Sequence, residues 1–306
     1  MKRIFVLGSV NTDMVVKVDR MPMTGESMKG YGFMTNQGGK GANQAVACKK
    51  LGGKEVFFLG AVGKDAFGEE LLRSLNSFGV DTRAVRTVEN AKSGVCMILL
   101  DQSCNDNVLV VDTGANERVN AEEVEAFLQR NGAEGDVFIT QLEVNVDAVE
   151  RGLKRAKELG MYTVLNPAPA RKIGAELLAF TDLIVLNETE TELIADVRCE
   201  SKKDMEKVYA YFSALGVKEV IVTLGAKGCY HSDGEATHCP ACKVKAVDST
   251  SAGDTFIGAL SMKKARGEAI KASLPFASAC SAIAVSRAGA SVSIPTEEEV
   301  LALKIQ

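Results

Sequence analysis

Apolar residues along this chain fall into short continuous runs, alternating with stretches in which they recur every three or four positions. The first pattern belongs to strands buried on both faces, the second to helices with one apolar face. Residues 3–9 form the first apolar run, closed by Gly8-Ser9. Strand-like segments 14–19 and 28–34 follow, joined by a turn around Met21-Pro22-Met23-Thr24-Gly25. No helix separates them from the first strand, which predicts an antiparallel flap rather than a βα repeat. Gly38-Gly39-Lys40-Gly41 opens a helix that runs to Leu51 and stops at Gly52-Gly53. Strand 55–60 and helix 67–78 come next, then strands 94–101 and 107–113, again with no helix between them.

From there the alternation is regular. Helix 121–130, strand 136–140, helix 146–159 and strands 161–165 and 182–186 lead to a helix starting near Glu188, helix 203–215 and strand 219–223. A hairpin covers 228–247, ending in the strand-like Val244-Lys245-Ala246-Val247, and helices 252–264 and 269–286 finish the core. This order predicts one α/β domain over residues 1–306, a three-layer sandwich with helices on both faces of a mostly parallel central sheet. The interrupting strands within 14–34 and 94–113 predict a small separate sheet, two insertions in the chain but one object in space.

Composition narrows the function classes. With 46% hydrophobic and 25% charged residues in 306, the chain is an ordinary globular protein of one large domain. A net charge of −4 gives nothing to attract nucleic acid or an anionic membrane. Ile4 to Val10 resembles a leader only faintly, because Asn11 and Asp13 cut it short, and no run of 18 apolar residues occurs. Eight scattered cysteines point to free thiols and a cytoplasmic protein.

Neither G-x-G-x-x-G nor G-x-x-x-x-G-K-[ST] occurs, so a bound nucleotide would need another cradle. One is offered by Asp248-Ser249-Thr250-Ser251-Ala252-Gly253-Asp254, small residues and a carboxylate at the start of an apolar helix. Free backbone N–H groups at such a helix end hold phosphate. The same residues also read as a simple capping box, Ser251-x-x-Asp254.

Other polar groups close predicted strands. Asn11-Thr12-Asp13 can hold sugar hydroxyls or form a turn. The loop Gly39-Lys40-Gly41-Ala42-Asn43 lets backbone approach a ligand, with Lys40 adding charge, or simply enters a helix. Glu143 can accept from a hydroxyl. Asn187 and Glu190 either cap a helix or orient water around Mg²⁺. Thr223-Leu224-Gly225-Ala226-Lys227-Gly228 forms a glycine-rich turn able to take a nucleotide. Each lies at the end of a predicted parallel strand, so all converge on one crevice. Cys239-Pro240-Ala241-Cys242, with Cys229, His231 and His238, has spacing suggestive of zinc or redox chemistry. Residues three apart in a hairpin point to opposite faces, however, and the reading preferred is structural.

Taken together, Gly38–Ala45 and Asp248–Asp254 resemble the two signatures of the PfkB family of carbohydrate kinases. Asn11-Thr12-Asp13, Gly114-Ala115-Asn116, Asn166–Arg171 and Asn187–Glu190 are similar to segments of its ribokinase branch, and the likeness spans nearly the whole chain. Ser251 replaces the usual glycine ahead of Ala252-Gly253-Asp254 and is expected still to cap the helix.

The resemblance implies ATP-dependent phosphorylation of the ribose 5-hydroxyl, with a kinase for 2-deoxyribose, another sugar or a nucleoside, or a non-catalytic sugar sensor, as alternatives. It implies that Asn11, Thr12, Asp13, Gly39, Lys40, Gly41, Ala42, Asn43 and Glu143 hold the sugar and that Asp254 is the base, with Ala252 and Gly253 in an anion hole. Asn187, Glu190, Thr223–Gly228, Gly253, Asp254 and Ser278 would meet ATP, with Glu190 near Mg²⁺ through water. Asp248, Thr250, Ala284, Arg287, Gly289 and Ser293 would hold a monovalent cation, K⁺. The small sheet would be a lid that also pairs two subunits into a homodimer.

Overall fold

The computed structural model describes residues 1–103 and 106–302. In chain order the elements begin β1 (Ile4–Leu7), β2 (Asn11–Val18), β3 (Tyr31–Gly38), α1 (Lys40–Lys50), β4 (Val56–Gly63), α2 (Ala66–Ser77), β5 (Asp81–Val88), β6 (Gly94–Asp101) and β7 (Asp106–Asp112). They continue with α3 (Ala121–Asn131), β8 (Val137–Thr140), α4 (Val146–Glu158), β9 (Tyr162–Leu165), α5 (Ala175–Ala179), β10 (Leu183–Asn187), α6 (Glu188–Ala195) and α7 (Lys202–Ser213). The chain closes with β11 (Glu219–Thr223), β12 (Cys229–Ser232), β13 (Thr237–Cys239), α8 (Ala252–Ala265), α9 (Ile270–Val285) and α10 (Glu297–Ala302).

The large sheet has the order β13-β12-β11-β10-β9-β8-β1-β4-β5. Its strands are parallel from β11 to β5, and only β12 and β13 run antiparallel. Side chains alternate between the two faces. Ile4 and Val6 of β1 join one core with α1, α8 and α9, while Phe5 and Leu7 join the other with α3, α4 and α7. Each such side chain removed from water contributes about 2 kcal/mol, which is why these strands read as unbroken apolar runs. The expected three-layer sandwich is the fold.

The second sheet has the order β3-β2-β6-β7. Both hairpins are antiparallel internally, as expected of a flap, but β2 and β6 pair in parallel, Asn11 opposite Gly94 through Val18 opposite Asp101. The two hairpins therefore leave the main sheet side by side and in the same direction.

Several local expectations are corrected. Strand β5 was not anticipated: as an edge strand it carries Asp81, Arg83 and Arg86, which break the apolar run. Val244–Val247 makes no ladder, and the N–H groups of Val247 and Asp248 bond instead to Val285 O at the end of α9. The short helices α5 and α10 also went unread, having too few turns for a periodic pattern.

Helices α1 and α8 cross closely. A Cβ built on Gly258 would stand 2.5 Å from Ala47 Cβ and 3.1 Å from Gln44 O, so only glycine permits this approach. Cys48 Sγ donates to Gly258 O at 3.4 Å at the same crossing. This contact sets the start of α8 beside the first turns of α1.

Candidate active site

The chain moves outward from β1 in one direction to β4 and β5, and in the other to β8 and beyond. Where the direction reverses, the loops after the strands part and leave a crevice. A cleft of about 520 Å³ opens there. Asn11, Asp13, Gly39, Lys40, Asn43 and Glu143 line one end, and Asn187, Glu190, Thr223 and Gly225 the other, with Ser249–Asp254 between. Ile98, Leu109 and Val111 of the small sheet roof it.

Asn11, Thr12 and Asp13 are not a turn but the buried start of β2. Asn11 Oδ1 accepts from Asn116 Nδ2 at 2.8 Å, and Asn116 Oδ1 accepts from Val10 N–H at 3.0 Å. Asn116, in the 3₁₀ turn Gly114–Arg118 within one of the family-like segments, thus aims the Asn11 amide. Gly41 lies against the end of β1, where a Cβ would come 2.6 Å from Gly8 Cα. That close approach lets α1 begin at the floor of the cleft. Gly41 and Ala42 lie in the floor, Ala42 N–H donating to Ser9 O at 2.9 Å. Glu143 is fixed by the Ser9 hydroxyl and by Lys40 N–H at 3.2 Å.

Asp254, in the first turn of α8, has both carboxylate oxygens engaged. Oδ2 accepts from Asn43 Nδ2 at 3.1 Å and Oδ1 from Gln44 Nε2 at 3.0 Å. Gln44 in turn accepts from Gln141 Nε2 at 2.6 Å and meets Asn166 Oδ1 at 3.4 Å. Asn43 Oδ1 is buried and has no hydrogen-bond partner among the described residues.

Ser251 does not cap α8 as expected. It sits at φ 58°, and its hydroxyl donates to Ala290 O at 3.1 Å instead. The left-handed conformation turns its side chain away from the helix end. Ala252 N–H is shared with Ser249 O at 3.2 Å, whereas Gly253 fronts open space.

Asn187 and Glu190 form a reciprocal capping box on α6: Asn187 Oδ1 accepts from Glu190 N–H at 2.8 Å, and Glu190 Oε2 from Asn187 N–H at 2.9 Å. The box leaves Glu190 buried and turned to the cleft, so the cap also presents a carboxylate. Beyond it, Gly225–Lys227 makes one 3₁₀ turn, closed by Leu224 N–H on Gly228 O at 2.8 Å. Gly225 and Thr223 line the cleft, Leu224 is buried, and Lys227 Nζ reaches Glu188 at 4.0 Å. Ser278 stands apart from the cleft lining, its hydroxyl on Pro240 O at 3.4 Å.

Behind the start of α8, Asp248 accepts from Thr250 N–H at 2.9 Å and Gly289 N–H at 3.0 Å, joining the loops before α8 and after α9. Ala284 O takes Arg287 N–H at 3.1 Å and Ser293 Oγ donates to Ala290 O at 2.7 Å. The Arg287 guanidinium points outward to Glu299. Cys229 and Cys239 face one another across β12 and β13, and both thiols are free.

The cleft gathers Asp13, Glu143, Glu188, Glu190 and Asp254 around Lys40. Burial, then the charges of Glu143 and Asp254, push Asp13 up to about 7. Burial also raises Asp254, against Lys40 and the Asn43 and Gln44 bonds, which favour the carboxylate. Burial pulls Lys40 down, but Asp254, Glu143 and Glu190 outweigh it and hold the ammonium charged. A site so rich in carboxylates accepts polyphosphate only with added positive charge, and the oxygen donors at Glu190 and Asn187 suit a hydrated Mg²⁺.

A carboxylate at a helix start, facing sugar-type amides on one side and a nucleotide-type turn on the other, defines a small-molecule phosphotransferase. The sequence model of the pfkB family of carbohydrate kinases matches residues 1–297, and the chain belongs to that family. It is 43% identical to a protein of Schizosaccharomyces pombe named ribokinase, over 98% of this chain and 97% of that one. The structure is similar to that of a ribokinase from Thermotoga maritima, with a TM-score of 0.89, 34% identity and 99% of each chain covered. It is also similar to an Arabidopsis thaliana ribokinase complexed with ribose and ATP, with a TM-score of 0.88, 30% identity and 98% and 97% of the chains covered.

Proposed function

We propose that the chain transfers the γ-phosphoryl group of ATP to the 5-hydroxyl of D-ribose, releasing ribose 5-phosphate and ADP. The observation that carries this reading is Asp254, buried, doubly hydrogen-bonded and set between the two ends of the cleft. Asn11, Asp13, Lys40, Asn43 and Glu143 bind and orient the sugar. Asp254 takes the proton of the 5-hydroxyl as its oxygen bonds to phosphorus and the bridging oxygen leaves with ADP. The N–H groups of Gly253 and Asp254, at the positive end of α8, receive the charge on the transferring group. Asn187, Glu190 and the Thr223–Gly228 turn hold ATP, and Glu190 and Asn187 would hold Mg²⁺ through water, where it would neutralise phosphate charge. Asp248, Thr250 and Gly289, with carbonyl oxygens near Ala284, Arg287 and Ser293, hold K⁺ and steady the loop before α8. Ser278 supports the nucleotide side through Pro240. The chain acts in the cytoplasm, as its free thiols suggest.

ADP release measured across ribose, 2-deoxyribose, fructose and adenosine, in potassium and in tetramethylammonium, tests the assignment. Ribose should give the highest kcat/KM, and potassium the faster rate. A preference for 2-deoxyribose would move the chain to that neighbouring activity. Asp254→Asn should lower kcat by on the order of 10²-fold or more while sugar still binds, and near-normal turnover would remove it from the base role.

A further inference from the structure

Gln44 and Gln141 are both wholly buried, and neither lines the cleft. They nevertheless form a directed chain ending on the base. Gln141 Nε2 donates to Gln44 Oε1 at 2.6 Å, and Gln44 Nε2 donates to Asp254 Oδ1 at 3.0 Å. An amide has one donor end and one acceptor end. While Gln141 presents its NH₂, a flipped Gln44 would set NH₂ against NH₂ and its own oxygen against the carboxylate. Of the side-chain polar atoms of Gln141, Gln44 and Asp254, the one left without a partner is Gln141 Oε1, at the end farthest from Asp254. It sits where a Cβ on Gly8 would stand 2.1 Å away, so the space for this amide depends on glycine at the end of β1. An unpaired buried acceptor is disfavoured, and leaving it there keeps the end at the base fully paired.

We propose that Gln44 is a positioning residue for Asp254, and that Gln141 sets the direction in which Gln44 donates. The proposal rests on the base role assigned to Asp254 above. Asn43 shares itself between the base and the cleft, whereas Gln44 touches only protein, so its effect is on the base and not on sugar contact. The Gln44 bond favours the ionised carboxylate, against burial and Glu143. The other charges around this carboxylate are those of Lys40, which favours ionisation, and of Asp13 and Glu190 at the two ends of the cleft.

Gln44→Met keeps the length and removes the donor. It should lower kcat by roughly tenfold or more, leave KM for the sugar within about twofold, and move the acid limb of the pH profile upward by about one unit. Gln141→Leu removes the donor that holds Gln44 Oε1, so the Gln44 amide is no longer fixed with its NH₂ towards Asp254. It should reproduce the kcat loss and the pH shift. Added to Gln44→Met, it should change kcat no further, a non-additivity expected only if the two act through one chain. Wild-type kcat and pH profile in Gln44→Met, or additive losses in the double variant, would overturn the proposal. Should Gln44→Met not fold, Gln141→Leu alone decides by its pH profile. Turnover by Asp254→Asn would instead remove the base role itself, so the two failures are distinguishable.

Discussion

The surroundings of Asp13 change what its carboxyl does near neutral pH. A carboxyl raised from the usual 3.8 to about 7 binds a proton in the folded state that it lacks when unfolded. That stability is fully present below pH about 4 and is lost as the pH rises through about 7. Asp13→Asn should therefore raise stability over the parent by an amount that grows across this window and levels off above it, reaching at least about 1 kcal/mol. Sugar binding should weaken by roughly tenfold or more, because an amide cannot accept from hydroxyls at both of its atoms. Melts at pH 5 and pH 8 check the sign, and an equal difference at both would mean that the folded state does not retain the proton. Asn11, Asp13, Glu143 and Glu190 were legible in the sequence because each is a polar group ending an apolar strand. Gln44 and Asn116 stood inside segments that resemble the family, but the bonds they and Gln141 make were not legible, since each partner lies far along the chain, 97 residues apart for Gln44 and Gln141.

At the scale of elements, the site depends on how α8 meets α1. Asp254 reaches Asn43 and Gln44 only because Gly258, one turn further along α8, lets the helices touch. Gly258→Ala forces a methyl to within 2.5 Å of Ala47 Cβ. We expect a loss of about 1–3 kcal/mol in stability, with a fall in kcat larger than the rise in KM. Unchanged melting would show that the helices can part without consequence. The parallel strands were easy to read because burial on both faces makes them apolar throughout. Edge strand β5 hid its pattern behind charges, and the Ser251 cap was misread because a four-residue motif does not reveal a left-handed backbone at its first position.

For the whole molecule, the small sheet matters most. Ile98, Leu109 and Val111 on one face roof the cleft, Leu109 and Val111 staying exposed there, and Phe33, Met97, Val108 and Val110 are exposed on the other face. We propose that this sheet is a lid and that its exposed apolar residues pack against a second copy of the chain, the homodimer expected from sequence. Val110→Lys should shift sedimentation from dimer to monomer and raise KM for the sugar, because an unsupported lid closes less well. A protein that sediments as a monomer before substitution would end this reading.

The carboxylates that crowd the cleft have a consequence for the direction of traffic. A free sugar arrives without charge and loses nothing on approaching Asp13, Glu143 and Glu190. After transfer it bears a phosphate among like charges, with the ammonium of Lys40 as their sole cationic neighbour among the described lining residues. The pocket that welcomes the substrate is hostile to the product, so departure is written into the same side chains that secure entry.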